Sequence, residues 1–259
     1  MGAQQDLVDR VVDDLAADPR VRGLWLTGSF GAGTADEYSD VDMFVLVAEA
    51  HVDGYASEWL GRVAPRYRPL LVRRRGPGAV FEHLLPGWLR WDVVVGGPAG
   101  LNDLDPDRVL ELLNRDSVHP RPSFRAGVEA GTVRELTEEF LRVLGMLPLV
   151  VGRGELVTAV TGASLLRQLL TTLLRYRAEG PRLSGALRLN EVLPPDEVAA
   201  LAALPPVYAD RGAVVRAHLS CAAMFLPVAR DLLGPDHPRE LEAACWEHLR
   251  LHLGVDPLG

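Results

Sequence analysis

Short apolar runs separated by turn residues fill the first part of the chain, and longer runs of helical period fill the rest. The runs at 21–27, 43–47, 70–74, 79–85 and 88–95 are too short for helices and are bounded by Gly, Pro and acidic residues, so each reads as a strand. Residues 4–18 instead place Leu7, Val11, Val12 and Leu15 at helical spacing, with Pro19 ending the run, and 52–63 repeats that pattern up to Pro65. Pro86-Gly87 between the last two runs predicts a hairpin, which brings Glu82 or His83 onto the face of Asp92 according to register. Gly96 to Gly100 then ends the sheet. A short helix is expected next, with Asp105 as N-cap, Pro106 at its first position and Val109, Leu110 and Leu113 behind.

Residues 116–124, with Pro120 and Pro122, read as an extended linker, which places a domain boundary after residue 116. Beyond it every pattern is helical: 131–147, then 153–179 with Leu156, Val160, Leu166, Leu169, Leu170 and Leu173 inside, then 195–204, 211–233 and 238–253. The fold class predicted is α+β. Residues 1–116 form a mixed five-stranded sheet with flanking helices, and residues 117–259 form an all-α bundle of about five helices.

The chemistry concentrates in residues 24–47. Two apolar runs there flank a Gly28-Ser29 turn and a polar loop, and the second run begins with Asp40 and Asp42. Alternate residues of a strand share a face, so the two carboxylates point the same way with Cα atoms about 6.6 Å apart. Acids on a buried strand need a cation, and an oxygen-only pair suits Mg²⁺ completed by water and phosphate. If Gly28-Ser29 closes one strand and opens a helix, its backbone N–H groups suit the phosphates. A third acid is needed to complete a metal pair or to take a proton, and Asp92 at the head of a separate strand offers it.

Gly28-Ser29, Gly33, Ser39-Asp40-Val41-Asp42 and Asp92 together resemble the signature of the DNA polymerase β-like nucleotidyltransferase superfamily. The resemblance is close over about residues 20–96 and architectural beyond. Chain length and the helical second half are most similar to the antibiotic-modifying branch, the aminoglycoside and lincosamide nucleotidyltransferases. It implies transfer of a nucleoside monophosphate from an NTP, ATP first among them, to a hydroxyl of a small molecule, with Mg²⁺ as cofactor and pyrophosphate released. In that scheme Asp40 and Asp42 hold metal on the phosphates, while Gly28, Ser29 and Ser39 contact the nucleotide. Asp92 completes the metal site and accepts the hydroxyl proton, with Glu82 as second choice. The helical half is expected to close the acceptor side of the cleft, and Arg182 and Arg188 to reach the nucleotide across it. A protein or RNA acceptor on the same fold, or a silent nucleotide-binding module, are the alternatives; the presence of all three acids weighs against the last.

Composition narrows the partners. With 35 acidic against 27 basic residues the formal charge is −8, which disfavours a nucleic-acid track and suits a cationic small molecule. Every basic residue among the 27 is Arg, so phosphate contacts fall to Arg, backbone N–H, hydroxyls or metal, and a lysine nucleophile is excluded. Cys221 and Cys245 lack metal-ligand or disulfide spacing. His248 and His252, four apart, read as a solvated helix face rather than a metal pair. No basic leader precedes an apolar core and no apolar run approaches the length of a membrane span, so a cytoplasmic protein without membrane contact is expected. Homodimerisation is left open.

Overall fold

The computed structural model describes residues 2–75, 79–121, 130–180 and 188–256. The chain divides into two compact units, residues 1–124 and 125–259.

The first unit is built on one six-stranded sheet. Helix α1 (Gly2–Ala16) leads into β1 (Val21–Leu26), the single-turn α2 (Gly28–Gly31) and β2 (Val41–Val47). After α3 (Val52–Glu58) and two irregular helical turns reaching Tyr67 come β3 (Leu71–Arg75), β4 (Val80–Leu85), β5 (Leu89–Gly96) and β6 (Leu110–Asn114). The strand order is β3-β4-β5-β2-β1-β6. Every neighbouring pair is antiparallel except β2 and β5, which run parallel. A parallel pair needs a long crossover, and α3 with the β3–β4 hairpin supplies it.

Alternation sorts the two faces of this sheet. Val41, Met43, Val45 and Val47 of β2, Phe81 and Leu85 of β4, and Trp91, Val93 and Val95 of β5 are buried in one cluster with Leu7, Val8, Val11 and Leu15 of α1 and Tyr55 and Ala56 of α3. The intervening residues of β2 and β5 therefore turn to the opposite face. There Phe44 and Leu46 form a smaller cluster with Trp25 and Leu101, and Asp42 and Asp92 share that face at its other end. Helices cover the first face, and the second keeps room for polar chemistry.

The expectation of five strands and of a helix after Asp105 is corrected. Asp105 does cap, accepting a hydrogen bond from the Asp107 N–H, but only one 3₁₀ turn, Pro106–Arg108, follows. Residues 110–114 instead pair antiparallel with β1, Leu26 opposite Leu110 and Leu24 opposite Leu113. The bare edge of β1 decides this: a free ladder of N–H and C=O groups outweighs the modest helix preference of Leu and Glu.

The second unit is helical. It comprises α4 (Ala130–Gly145), α5 (Leu147–Gly152), α6 (Leu156–Glu179), α7 (Leu189–Val192), α8 (Pro195–Ala202), α9 (Arg211–Leu233) and α10 (Arg239–Leu253). Seven helices among the described residues replace the expected five, because the short α5, with Pro148 in its first turn, fills the gap left between the runs at 131–147 and 153–179, and the single turn α7 precedes α8. Phe140 of α4 and Phe225 of α9 stack with centroids 3.9 Å apart. By length and composition alone, α6 and residues Arg211–Asp236 would cross a membrane, with mean hydropathy 1.3 and 1.4 over their best windows. This corrects the expectation that no apolar run approaches such a length. Both helices bury Leu166, Leu170, Leu173, Val214, Cys221 and Phe225 in the bundle core, a common use of apolar helices.

Candidate active site

Parallel pairing sets Asp42 directly opposite Asp92, and antiparallel pairing sets Asp92 opposite Glu82, which faces Arg73 in turn. A row of charged residues thus crosses four strands on the face away from the helices. Asp40, two residues before Asp42, adds a third carboxylate, and one oxygen each from Asp40, Asp42 and Asp92 lies within 4.8 Å of the others. Of the two residues expected to share the face of Asp92, Glu82 does so. His83 points the other way and is buried between Trp59 and Trp91, with Nε2 accepting from the Trp59 indole at 2.9 Å and Nδ1 donating to the Trp91 carbonyl at 2.8 Å.

Crowding raises the proton affinity of these acids. Burial, then the charges of Asp40 and Asp92, push the Asp42 carboxyl up to about 7. Burial, then Glu82 and Asp40, push Asp92 up to about 6. Burial and mutual repulsion outweigh the nearby positive charge at Asp42 and Asp92, and three hard oxygen donors match a divalent cation of the Mg²⁺ kind.

Gly28 adjoins this cluster for a steric reason. The Thr27 N–H donates to the Asp42 carbonyl at 2.9 Å, tying the end of β1 to the acid-bearing strand. The chain then turns through Gly28 at φ +57 into α2, as expected of the Gly-Ser turn. A Cβ at Gly28 would fall inside the van der Waals envelope of Asp42 Oδ2, so both backbone conformation and space require glycine. Ser29 follows with its hydroxyl buried and without a hydrogen-bond partner. That orphaned hydroxyl, one residue from the acid cluster, fits a phosphate oxygen or a metal-bound water.

The remaining expected residues are placed as follows. Ser39 shapes the loop before Asp40: its Oγ accepts from the Asp36 N–H and donates to the Asp36 carboxylate, both at 2.9 Å. Arg188 belongs to the second unit, at the left-handed N-cap of α7, with Nη1 3.5 Å from the Glu191 carboxylate. Arg182 lies outside the described residues. His248 and His252 stand on an exposed face of α10, ring centroids 4.6 Å apart.

Sequence reasoning missed Arg90 and the partner of Glu82. Arg90 reaches Asp40, Nη1 to Oδ2 at 3.2 Å, and Arg75 pairs with Glu82. The first was readable: Arg90 precedes Asp92 by two residues in an extended run, so the two share a face.

Residues 8–73 match the model of the family described as nucleotidyltransferase domain. The match takes in Gly28, Ser29, Asp40 and Asp42 and stops before Asp92. No curated protein matches the chain. Among solved structures, an aminoglycoside 6-adenyltransferase from Bacillus subtilis is similar at 16% identity and TM-score 0.45, covering 96% of this chain and 98% of that one. A nucleotidyltransferase-like protein from Exiguobacterium sibiricum is similar at 13% identity and TM-score 0.38, covering 95% and 87%. The apo form of a CCA-adding enzyme is similar at 14% identity and TM-score 0.36, covering 94% and 68%. Scores of this size carry no inference about this chain.

Proposed function

We propose, on the premise that residues 8–73 carry a nucleotidyltransferase domain, that this protein moves a nucleoside monophosphate from an NTP to a hydroxyl of a small cationic molecule. ATP is the nucleotide we favour and an aminoglycoside or lincosamide antibiotic the acceptor, with pyrophosphate as the second product. The observation that carries the reading is the convergence of Asp40, Asp42 and Asp92 beside the Gly28-Ser29 turn. The charge of −8 supports a cationic acceptor over a nucleic acid.

Asp40, Asp42 and Asp92 are the residues that would hold Mg²⁺. When bound, the ion neutralises charge on the phosphates and polarises the attacking hydroxyl. Asp92, between Asp42 and Glu82 in the acid row, is the group we assign to take the hydroxyl proton. Gly28 lets the backbone come close to the phosphates, and the first-turn N–H groups of α2 together with Ser29 Oγ are donors for them. Positioning of the two reactants is then the main contribution of the protein.

The test is label transfer from α-labelled ATP, with pyrophosphate release measured in parallel, across a panel of aminoglycosides and lincosamides, with tRNA and lysate proteins as further acceptors. Label on an antibiotic, lost in Asp42→Asn, is the expected result. Label on tRNA or protein would replace the acceptor, and full activity in Asp42→Asn would overturn the chemistry.

A further inference from the structure

Arg90 is left without a task by the function above. It sits on β5 two residues ahead of Asp92, on the same face, with Nη1 3.2 Å from Asp40 Oδ2 and Nη2 donating to the Tyr38 carbonyl at 3.4 Å. Its charge also counts among those that lower the proton affinity of Asp42 and Asp92 against the effect of burial. One guanidinium therefore pairs with Asp40 and sets its charge against the repulsion at Asp42 and Asp92. Its side chain is nevertheless 41% exposed, and ion pairs at that exposure are weak and easily exchanged.

A metal ion at Asp40 and a guanidinium at Asp40 compete for the same oxygens, and two cations on one carboxylate repel each other. We propose that Arg90 is a stand-in cation: it neutralises Asp40 while the metal is absent, gives up that carboxylate when a divalent ion binds, and then takes a phosphate oxygen of the incoming NTP. The inference rests on the nucleotidyl-transfer reading. A guanidinium fork fits phosphate as well as carboxylate, and in a chain whose basic residues are all Arg a basic contact to phosphate falls to this side chain type. Arg90 thereby couples the two ligands: alone it opposes the metal, and with nucleotide present it favours the pair.

Mn²⁺ titration followed by electron paramagnetic resonance, with and without a non-hydrolysable ATP analogue, tests this in wild type, Arg90→Ala, Arg90→Gln and Asp42→Asn. Without nucleotide, both Arg90 variants should bind Mn²⁺ more tightly than wild type, on the order of 3-fold. With Mn²⁺ saturating, both should bind the analogue more weakly, by roughly 10-fold. Arg90→Gln keeps a polar, hydrogen-bonding but shorter side chain without charge, so agreement between the two variants ties the effect to the lost charge. Mn²⁺ binding in wild type that Asp42→Asn removes, but with no gain in either Arg90 variant, overturns the stand-in role alone. Absence of any Mn²⁺ binding in wild type overturns the reading of the site together with it.

Discussion

Gly28 and Asp42 are packed so closely that a single methyl group on the first would collide with the carboxylate of the second. The left-handed backbone at Gly28, φ +57, adds a second penalty for any other residue. Gly28→Ala should therefore lower stability by about 1–2 kcal/mol and displace Asp42. Urea unfolding and Mn²⁺ binding measure the two effects separately. A variant with unchanged metal affinity would show that the turn does not fix the acid.

Asp42 makes the metal-free protein sensitive to alkali. Its carboxyl titrates near 4 in an unfolded chain and, raised first by burial and then by Asp40 and Asp92, at about 7 in the fold. Between those values the folded state binds the proton more tightly, so stability falls as pH rises from about 4 to about 7 and stays low above. Metal-free Asp42→Asn should be more stable than wild type at pH 8, by about 2 kcal/mol, with a smaller gap at pH 5.5. Urea melts in chelator at both values check this. Equal stability at pH 8 would show that the carboxylate is already relieved of its strain.

Protons and metal should also compete at that carboxylate. Mn²⁺ affinity is expected to weaken as pH falls through about 7, the value to which Asp42 is raised, with Asp92 extending the decline through about 6. Titrations from pH 5.5 to 8.5 measure the slope. A flat profile over that interval would contradict metal ligation by either residue.

His83 responds to acid in the opposite sense. Burial lowers its proton affinity, with the hydrogen bond to the Trp91 carbonyl opposing, so its contribution is present above about 6.5 and lost as pH falls through the lowered value. Its Nε2 accepts from Trp59 and its Nδ1 donates to Trp91, which fixes one neutral tautomer. Trp59→Phe should cost about 1–3 kcal/mol by leaving Nε2 without a donor, besides any repacking. Nitrogen shifts from NMR should identify the proton on Nδ1 in wild type; a proton on Nε2 would refute the arrangement.

In the helical unit, Glu242 is buried and accepts from Arg230, from Trp246 at 3.4 Å, and pairs with His237 at 2.6 Å. Glu242→Ala should destabilise the bundle by about 2–4 kcal/mol, the lower end reflecting the half-exposed Arg230. A urea midpoint within error of wild type would show that the network is dispensable.

The sequence announced the strands that carry the acids more clearly than their partners. Val41 to Val47 is apolar apart from Asp42, and alternation then sets which face the acid takes. The face of Glu82 against His83 followed only from the pairing of β4 with β5, which no local pattern records. Residues 110–114 were misread because helix preference is a local property, whereas the empty edge of β1 lies some 85 residues earlier in the chain, a separation that propensity does not sense. Arg90 was overlooked although its spacing from Asp92 was visible, since a lone Arg at a hairpin looks like any solvated turn residue. Pro148 ended the expected helix at residue 147, but the short α5 over Leu147–Gly152 was left unassigned, because Pro in a first helical turn looks the same as Pro in a loop.

The parallel pairing of β2 with β5 sets an order of events during synthesis. The strand bearing Asp42 is made early, but its partner with Asp92 emerges only after α3 and the β3–β4 hairpin have been added. A nascent chain arrested with β5 still inside the ribosome would expose two of the three acids and lack the strand that aligns the last. Divalent-ion capture would then report the moment at which the second parallel strand docks, before β6 has covered the far edge of the sheet.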